Sequence, residues 1–337
     1  MARSLRDISG EVMHKAIDSP AKQHGTALAY LALARLDHST KHIFVVPGAV
    51  LAYLLRGVHT ESLGLSIALG LIAAVCVASA NYVINEWCDR DFDKFHPTKS
   101  QRPAVQMHLR KSIVLLEWAI FLVVGLTSAS LASGAMLMVA GVFALQGIVY
   151  NVRPLRTKDK AYFDVISESI NNPLRLMIGW AMVDPTTLPP GSVILTFWAG
   201  GAFLMAAKRL SEFREITAEH GRALLERYRA SFAGYTETSL MVSCFVYALC
   251  SCFFLAIFLL KYRIEYLLTV PIVITLFGKY LALSMKPGSS AQKPERLFRE
   301  GGLIVIVASL VAVFLVTTFI SIPPLEVLIG QQYIRLK

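Results

Sequence analysis

Residues 64–93 read GLSIALGLIAAVCVASANYVINEWCDRDFD. The part up to Ile84 is predominantly apolar and about as long as the roughly 20 residues that a helix needs to cross a bilayer. From Asn85 onward the sequence turns acidic. This stretch predicts a membrane helix that carries polar side chains at one end, and it sets the interpretation of the rest of the chain.

The whole chain repeats this apolar pattern. Nine stretches approach the length of a membrane span, and they lack the strict alternation of barrel strands. They lie at about 42–58, 64–85, 112–131, 134–150, 162–183, 191–211, 236–260, 264–284 and 301–321. Because only helices and closed barrels satisfy their own backbone in hydrocarbon, the sequence predicts an all-α membrane protein with nine transmembrane helices.

Composition agrees with this fold class. The chain is 55% apolar and 17% charged, with a mean hydropathy of +0.55, whereas a soluble domain averages about 25% charged residues. These values exclude a disordered chain, a coiled coil and a small disulfide scaffold. The net charge of +10 is spread between apolar runs, so lipid headgroups or phosphorylated substrates are expected as partners, and nucleic acid is not. The five cysteines lack metal-ligand spacing and are interpreted as structural.

The distribution of basic residues predicts the orientation in the membrane. On the side of the amino terminus lie 27 of the 33 Lys and Arg residues, five lie on the other side, and Arg175 falls inside a span. The positive-inside rule then places the amino terminus and the active site at the cytoplasmic face of the cell (inner) membrane, with the carboxyl terminus outside. We predict a cytoplasmic or interfacial segment at 1–41, a catalytic membrane domain at 42–321 and a tail at 322–337.

The acidic end of the second span predicts a metal site. Asn85, Asp89 and Asp93 recur every four residues and share one helical face if the helix continues. Two carboxylates and a carboxamide are hard oxygen ligands that suit Mg²⁺, which takes few protein ligands and fills its shell with phosphate oxygens. The alternative is a solvated helix end with Arg90 and Lys94 as neighbours.

Two basic segments accompany the acidic face. Lys99 and Arg102 follow it directly, and Arg156 and Lys158 lie in the loop after Tyr150. Fixed cations beside a metal site suit a diphosphate, whose charge exceeds that of one divalent ion. Ordinary positive loop residues remain the alternative for both segments.

Ionisable residues also lie inside the fifth predicted span. Asp164, Glu168, Asn172 and Arg175 fall on or near one helical face, and charges inside a span normally face a bundle interior or a water-filled cavity. We expect this face to line the same cavity. The alternative is a structural ion pair between helices, such as Glu168 with Arg175.

The sixth predicted span ends in mixed charge. Lys208 and Glu212 share a face that Arg209 flanks, which indicates contact with a metal, a diphosphate or a further anionic group. Downstream, residues 226–235 are compatible with an amphipathic cap over the cavity, although a solvated cytoplasmic loop is the simpler interpretation.

These motifs resemble the pattern of the UbiA superfamily of intramembrane prenyltransferases. The resemblance rests on Asn85-Glu86-x-x-Asp89-x-x-x-Asp93, Lys99-x-x-Arg102-Pro103 and Tyr150-x-x-x-Pro154-Leu155-Arg156-x-Lys158. It covers nearly the whole chain beyond about residue 30. It implies nine helices around a central cavity that opens to the cytoplasmic face, with Mg²⁺ as the cofactor. The family usually has Asp where this chain has Glu86, so the resemblance leaves open whether Glu86 touches the metal.

The second motif points to a branch of the superfamily. Members that prenylate aromatic acceptors usually carry a second Asp-x-x-x-Asp set, whereas this chain has Lys208-Arg209-x-x-Glu212-x-x-Glu215. Basic residues in this place resemble the decaprenyl-phosphate phosphoribosyltransferase branch, as do Arg35-x-x-x-x-x-Lys41 and the stretch 228–235. The resemblance implies phosphoribosyl pyrophosphate as the donor and a polyprenyl phosphate as the acceptor.

The implied reaction assigns roles to the candidate residues. Asn85, Asp89 and Asp93 hold Mg²⁺ on the leaving diphosphate, and Glu212 positions the ribose hydroxyls or a metal. The lipid phosphate attacks the ribose C1 without a general base, so positioning and charge stabilisation supply the catalysis. The substrate-binding candidates are Lys41, Lys99, Arg102, Tyr150, Arg156, Lys158, Asp164, Glu168, Asn172, Arg175, Lys208, Arg209 and Tyr228.

Two other functions stay open at this point. An enzyme of the same superfamily would move a prenyl chain from its diphosphate to an aromatic or quinone precursor, also with Mg²⁺. A transporter or lipid-binding membrane protein would use the charged face of the fifth span as a permeation path. The concentration of polar residues at one membrane face argues against transport.

Overall fold

The fold was analysed in a computed structural model that describes residues 25–289 and 300–325, without the side chains of 37–40. Most of the predicted segment 1–41 and most of the predicted tail 322–337 therefore lie outside the described residues. Within them the regular structure is helical, and no strand occurs. The α-helices are α1 Ala27–Leu31, α2 Val45–Arg56, α3 Leu63–Asp93, α4 Pro103–Gln106, α5 Lys111–Ala132, α6 Gly134–Asn151, α7 Phe163–Ser169, α8 Asn171–Val183, α9 Gly191–His220, α10 Arg222–Tyr228, α11 Glu237–Tyr262, α12 Val270–Ser284 and α13 Gly301–Phe319.

Short 3₁₀ segments connect several of these helices. They are Ala32–Ala34, Leu36–Phe44, Lys99–Gln101, Thr157–Asp159, Ala230–Gly234 and Ile264–Thr269. The last of them runs directly into α12, so that Ile264–Ser284 forms one continuous helical span.

Seven helical spans in the described part of the chain are long and apolar enough to cross a membrane. They are Leu63–Asp93, Lys111–Ala132, Gly134–Asn151, Gly191–His220, Glu237–Tyr262, Ile264–Ser284 and Gly301–Phe319. Large apolar side chains point outward along them, for example Leu131, Phe245 and Phe319, which are 70%, 64% and 78% exposed. An apolar outer surface of this extent is the one that lipid covers.

The prediction of nine transmembrane helices is not confirmed, because two predicted spans are shorter. The span predicted at 42–58 is α2, which has 12 residues and is about 18 Å long, less than the hydrocarbon core. The span predicted at 162–183 breaks at Ile170 into α7 and α8. Pro173 explains this break, since it has no N–H to donate to the carbonyl of Ser169, the last residue of α7.

Glycines allow the short helix α2 to dock closely on α8. A Cβ at Gly48 would lie 1.9 Å from the carbonyl oxygen of Leu176, and a Cβ at Gly179 would lie 1.9 Å from that of Val45. Only glycine fits such a backbone approach. The contact fixes α2 against the helix that carries Arg175.

Two apolar cores hold the bundle together. One is built mainly on α2, α3, α6 and α8, and the other on α9, α11 and α12 together with the segment 225–235. The polar end of α3, the end of α6, α7 and the polar half of α9 meet between these cores. This arrangement gathers the predicted site residues at one end of the bundle.

Candidate active site

A pocket lies at the end of α3, where the acidic stretch of the sequence is. Five of the residues predicted for the site line it, together with three that were not predicted. The lining residues are Asp89, Phe92, Asp93, Arg156, Lys158, Asp159, Tyr228 and Arg229. Acidic and basic side chains therefore share one cavity, as the sequence predicts.

Asp89 is held by the two cations of the loop after α6. Its Oδ1 lies 2.6 Å from Lys158 Nζ and 3.0 Å from Arg156 Nη2. Asn151 orders this cluster, because its Oδ1 accepts hydrogen bonds of 2.7 Å from both Lys158 Nζ and Asn85 Nδ2. The Asn85 amide is thereby fixed, and its carbonyl oxygen is the end that this bond does not use.

Asp93 faces a different cation. Its Oδ2 accepts a hydrogen bond of 2.6 Å from Arg102 Nη1, which also lies 3.1 Å from Glu86 Oε1. Glu86 is buried and pairs at 2.5 Å with Arg35. α3 continues to Asp93, so the predicted helical register of Asn85, Asp89 and Asp93 is correct.

A buried ionic network stands beside the pocket and centres on Arg209. This side chain is 2% exposed and reaches three carboxylates: Asp164 at 3.0 Å, Glu212 at 2.8 Å and Glu168 at 3.4 Å. Asp164 is fully buried and also accepts hydrogen bonds from Ser231 and Tyr235. Arg209 and Asp164 are thus engaged within the protein, and the predicted ion pair of Glu168 is made with Arg209 rather than with Arg175.

Residues 222–235 close the pocket instead of forming a solvated loop. Leu225, Phe232 and Tyr235 are at most 1% exposed. Tyr228 accepts a short hydrogen bond from Lys99. Arg229 donates a hydrogen bond of 2.6 Å to the Tyr150 hydroxyl, which in turn donates to Glu168 at 2.6 Å. Two consecutive residues of this segment therefore join the loop after α3 to the end of α6.

His96 fixes the loop that carries Lys99. Burial lowers the pKa of His96 to about 3, so its ring is neutral and Nδ1 can accept hydrogen bonds. The backbone N–H groups of Thr98 and Lys99 donate to it at 3.2 and 3.3 Å. Lys99 Nζ then lies 3.5 Å from Glu212 Oε1, and burial lowers the pKa of its amine to about 7 although Glu212 opposes the shift.

Four predicted residues do not line the pocket. Lys41 hydrogen-bonds Tyr82, and Arg175 reaches the same hydroxyl from α8 and lies over the ring of Phe143. Asn172 packs against α9, where it fills the space next to Gly201. Lys208 lacks an ion pair within 4 Å among the described residues. Lys41, Arg175 and Lys208 form a second basic region apart from the pocket.

The structure also brings in residues that the sequence analysis missed, above all Arg229, Asp159 and Asn151. Arg229 and Asp159 line the pocket, and Asn151 orients two of its residues. The interleaved aromatic and polar residues at 228–235 were a signal for Arg229, because a solvated loop has no need of buried aromatics. We find no such signal for Asn151, which reads as an ordinary residue at the end of an apolar span.

The oxygen donors at the pocket suit Mg²⁺ by their chemistry. Asp89, Asp93 and Asp159 all line it, and carboxylate oxygens are the ligands this ion prefers. Within the described residues, no three His, Cys, Asp or Glu side chains converge into a closed metal site. Such an open set fits a cation that completes its shell with phosphate oxygens.

Sequence comparison finds a family for most of the chain. A model of the UbiA prenyltransferase family matches residues 44–300. The chain is 24% identical to a protoheme IX farnesyltransferase of Bacillus mycoides over 193 residues, which are 56% of this chain and 54% of that protein. It is 30% identical to protoheme IX farnesyltransferase 1 of Lysinibacillus sphaericus over 152 residues, 43% of this chain and 48% of that protein. The chain thus spans about half the length of these curated relatives.

Structural comparison gives the same fold. A UbiA homolog from Archaeoglobus fulgidus, solved with GPP and Mg²⁺, matches with a TM-score of 0.64 and 19% identity, over 87% of this chain and 100% of that one. A UbiA homolog from Aeropyrum pernix K1 matches with a TM-score of 0.58 and 15% identity, over 83% of this chain and 99% of that one. At these identities the likeness concerns the fold.

Proposed function

Because this chain belongs to the UbiA prenyltransferase family and is an integral membrane protein, we propose that it is a Mg²⁺-dependent transferase that takes a prenyl diphosphate as donor and releases diphosphate. The observation that carries this proposal is the pocket in which Asp89 and Asp93 face Arg156, Lys158 and Arg229. Carboxylates and cations together are what a metal-bound diphosphate requires. The names of the curated relatives support a prenyl donor.

In this proposal the side chains of the pocket hold and neutralise the leaving group. Asp89 and Asp93, with the carbonyl oxygen of Asn85, would hold Mg²⁺, which offsets charge on the departing diphosphate. Arg156, Lys158 and Arg229 bind the remaining phosphate oxygens. Fixed cations in a site that excludes water stabilise developing negative charge without reorganising. Tyr228 and Arg229 cover the pocket, and the apolar outer helix faces leave the prenyl chain in lipid.

A second candidate keeps the same leaving group and changes the donor. Lys208 and Arg209 occupy the place where the resemblance leads one to expect a second acidic pair. Lys208 has no ion pair within 4 Å in the part of the chain that the structure describes, and Lys41 and Arg175 lie in the same basic region. Further anions would suit this region, as in phosphoribosyl transfer from phosphoribosyl pyrophosphate to a polyprenyl phosphate. The comparisons give this donor no support, and family membership argues against the transporter hypothesis.

A labelled-donor assay separates the two candidates. Purified protein in lipid vesicles with Mg²⁺ is given radiolabelled farnesyl or geranyl diphosphate, with protoheme IX or a hydroxybenzoate as acceptor. In a parallel reaction it is given labelled phosphoribosyl pyrophosphate with a polyprenyl phosphate. We expect a labelled product in the first reaction. A labelled lipid only in the second would replace our proposal by phosphoribosyl transfer.

The protonation of Lys99 predicts a pH dependence. Its amine has a pKa of about 7, so the ammonium form that attracts a diphosphate is present below pH 7 and is lost as the pH rises through 7. The value of kcat/KM, which reports on the free enzyme, should therefore fall tenfold per pH unit above about pH 7. In Lys99→Arg the side chain stays charged, because the guanidinium pKa exceeds about 12.

The measurement is kcat/KM for the donor between pH 6 and 9 in both proteins, at saturating Mg²⁺. The alkaline decline should disappear in Lys99→Arg while the rate at pH 6 changes less. An identical decline in both proteins would assign it to another group.

A further inference from the structure

Glu86 stands where the resemblance leaves a role open, and its position on α3 invites a metal role. It precedes Asp89 by three residues and Asp93 by seven, a spacing that groups the three carboxylates on one side of a helix. The structure separates them. Asp89 and Asp93 line the pocket, and Glu86 does not. Its side chain is 3% exposed, against 16% for Asp89.

The two partners of Glu86 come from either side of the sequence. Arg35 Nη2 lies 2.5 Å from Glu86 Oε1, and Arg102 Nη1 lies 3.1 Å from the same oxygen. Arg102 continues to Asp93 at 2.6 Å. The four side chains form a chain of alternating charge that begins in the segment before α2 and ends at the pocket.

Arg35 sits at a turn that the chain would not adopt unaided. Its backbone has φ 48° and ψ 49°, the left-handed region that residues other than glycine rarely occupy. The turn lies between the segments Ala32–Ala34 and Leu36–Phe44 and sets the direction of the latter. Such a conformation persists where surrounding contacts hold it, and the Arg35 side chain is held by Glu86.

The segment that Arg35 redirects brings a second cation to α3. Lys41 Nζ lies 5.3 Å from the centre of the Tyr82 ring and hydrogen-bonds its hydroxyl. Tyr82 is one helical turn before Glu86, so two successive turns of α3 bind the segment 35–44. Arg175 reaches the same hydroxyl, which places the end of this segment at the second basic region.

From these contacts we propose that Glu86 is a positioning residue: it docks the segment 35–44 on α3 through Arg35, and it does not bind the metal. The part of the proposal that concerns Mg²⁺ rests on the proposed function. The docking part stands on the contacts alone.

Limited proteolysis tests the docking. The full-length protein in detergent is treated with trypsin, and cleavage after Lys41 is followed by mass spectrometry. Glu86→Gln should accelerate this cleavage about tenfold, because the segment opens locally. Glu86→Asp keeps the charge and should restore most of the protection. Asp91→Asn is the matched control, since it removes a carboxylate that is 70% exposed on the same helix, and it should leave cleavage unchanged.

Arg35→Gly separates the charge contact from the turn. Glycine adopts a positive φ without strain, so this variant keeps the turn and loses the guanidinium. Cleavage after Lys41 should be as fast as in Glu86→Gln. Protection equal to that of the wild type in either variant would overturn the docking role.

The metal part is tested without turnover. The probe is inorganic pyrophosphate with increasing MgCl₂, and the readout is the Mg²⁺-dependent rise in unfolding temperature. Glu86→Gln should keep the Mg²⁺ concentration for half the effect close to that of the wild type, and Asp89→Asn should lose the effect. A Glu86→Gln response like that of Asp89→Asn would make Glu86 a metal ligand. If the wild type turned over no donor, the proposed function would fail, and the proteolysis would still decide the docking.

Discussion

Asp89→Asn is expected to lower kcat about a thousandfold, equivalent to about 4 kcal/mol of transition-state stabilisation. Asp89 is the carboxylate at the pocket that both Lys158 and Arg156 approach, at 2.6 and 3.0 Å. The substitution removes a hard oxygen ligand and one negative charge while it keeps the shape of the side chain. Mg²⁺ is then held less well when charge develops on the leaving diphosphate.

The donor KM should change much less than kcat. The two cations that Asp89 engages remain in place and become freer to bind phosphate oxygens. Initial rates at several donor and Mg²⁺ concentrations give both constants. Asp91→Asn, with the same change of charge at an exposed position of α3, should stay within about twofold, as is usual for surface substitutions. A variant at Asp89 that kept more than a tenth of the wild-type kcat would contradict the assignment.

Arg209→Met is expected to destabilise the fold by about 3–5 kcal/mol, the usual loss when one partner of a buried ionic group is removed. Arg209 is 2% exposed and is the common partner of Asp164, Glu168 and Glu212. Methionine fills much of the same volume but leaves three carboxylates facing one another. The network lies where α7 meets α9 and where residues 231–235 pack on both.

The unfolding temperature in detergent, followed by tryptophan fluorescence, should drop by about 10 °C. Arg214→Met is the control: Arg214 pairs at 3.0 Å with Glu237, but the two side chains are 38% and 48% exposed. An exposed pair contributes at most about 1 kcal/mol. Equal unfolding temperatures for the two variants would show that Arg209 is not the structural centre of this network. Arg209→Lys, which keeps the charge and loses the planar fork, should fall between the wild type and Arg209→Met.

The acidic face of α3 is the part of the site that the sequence predicted best. Asn85, Asp89 and Asp93 belong to one helix, and the helical period relates side chains that are four residues apart. The structure continues this helix to Asp93. Arg156, Lys158 and Tyr228 were also placed correctly at the pocket, because they lie in polar segments at the ends of spans on the same side of the membrane.

The partners of these side chains could not be predicted in the same way. The sequence suggested Glu168 with Arg175, and the structure pairs Glu168 with Arg209. Glu86 looked like a further acid of the metal motif, and it binds Arg35 and Arg102. Each of these pairs joins separate elements, so no periodicity along one helix relates the two residues.

The sequence by itself determined that the chain is helical and built for a membrane, and that its chemistry gathers at one end of the helices. The physical reason is that apolar length and the helical period are local properties that each segment carries alone. Only the tertiary structure decided that two of the predicted spans are short or broken, that Arg229 closes the pocket and that Asn151 orders it. These outcomes depend on how closely the helices approach and on which charge each buried side chain meets, and a buried charge takes the partner that packing brings within reach.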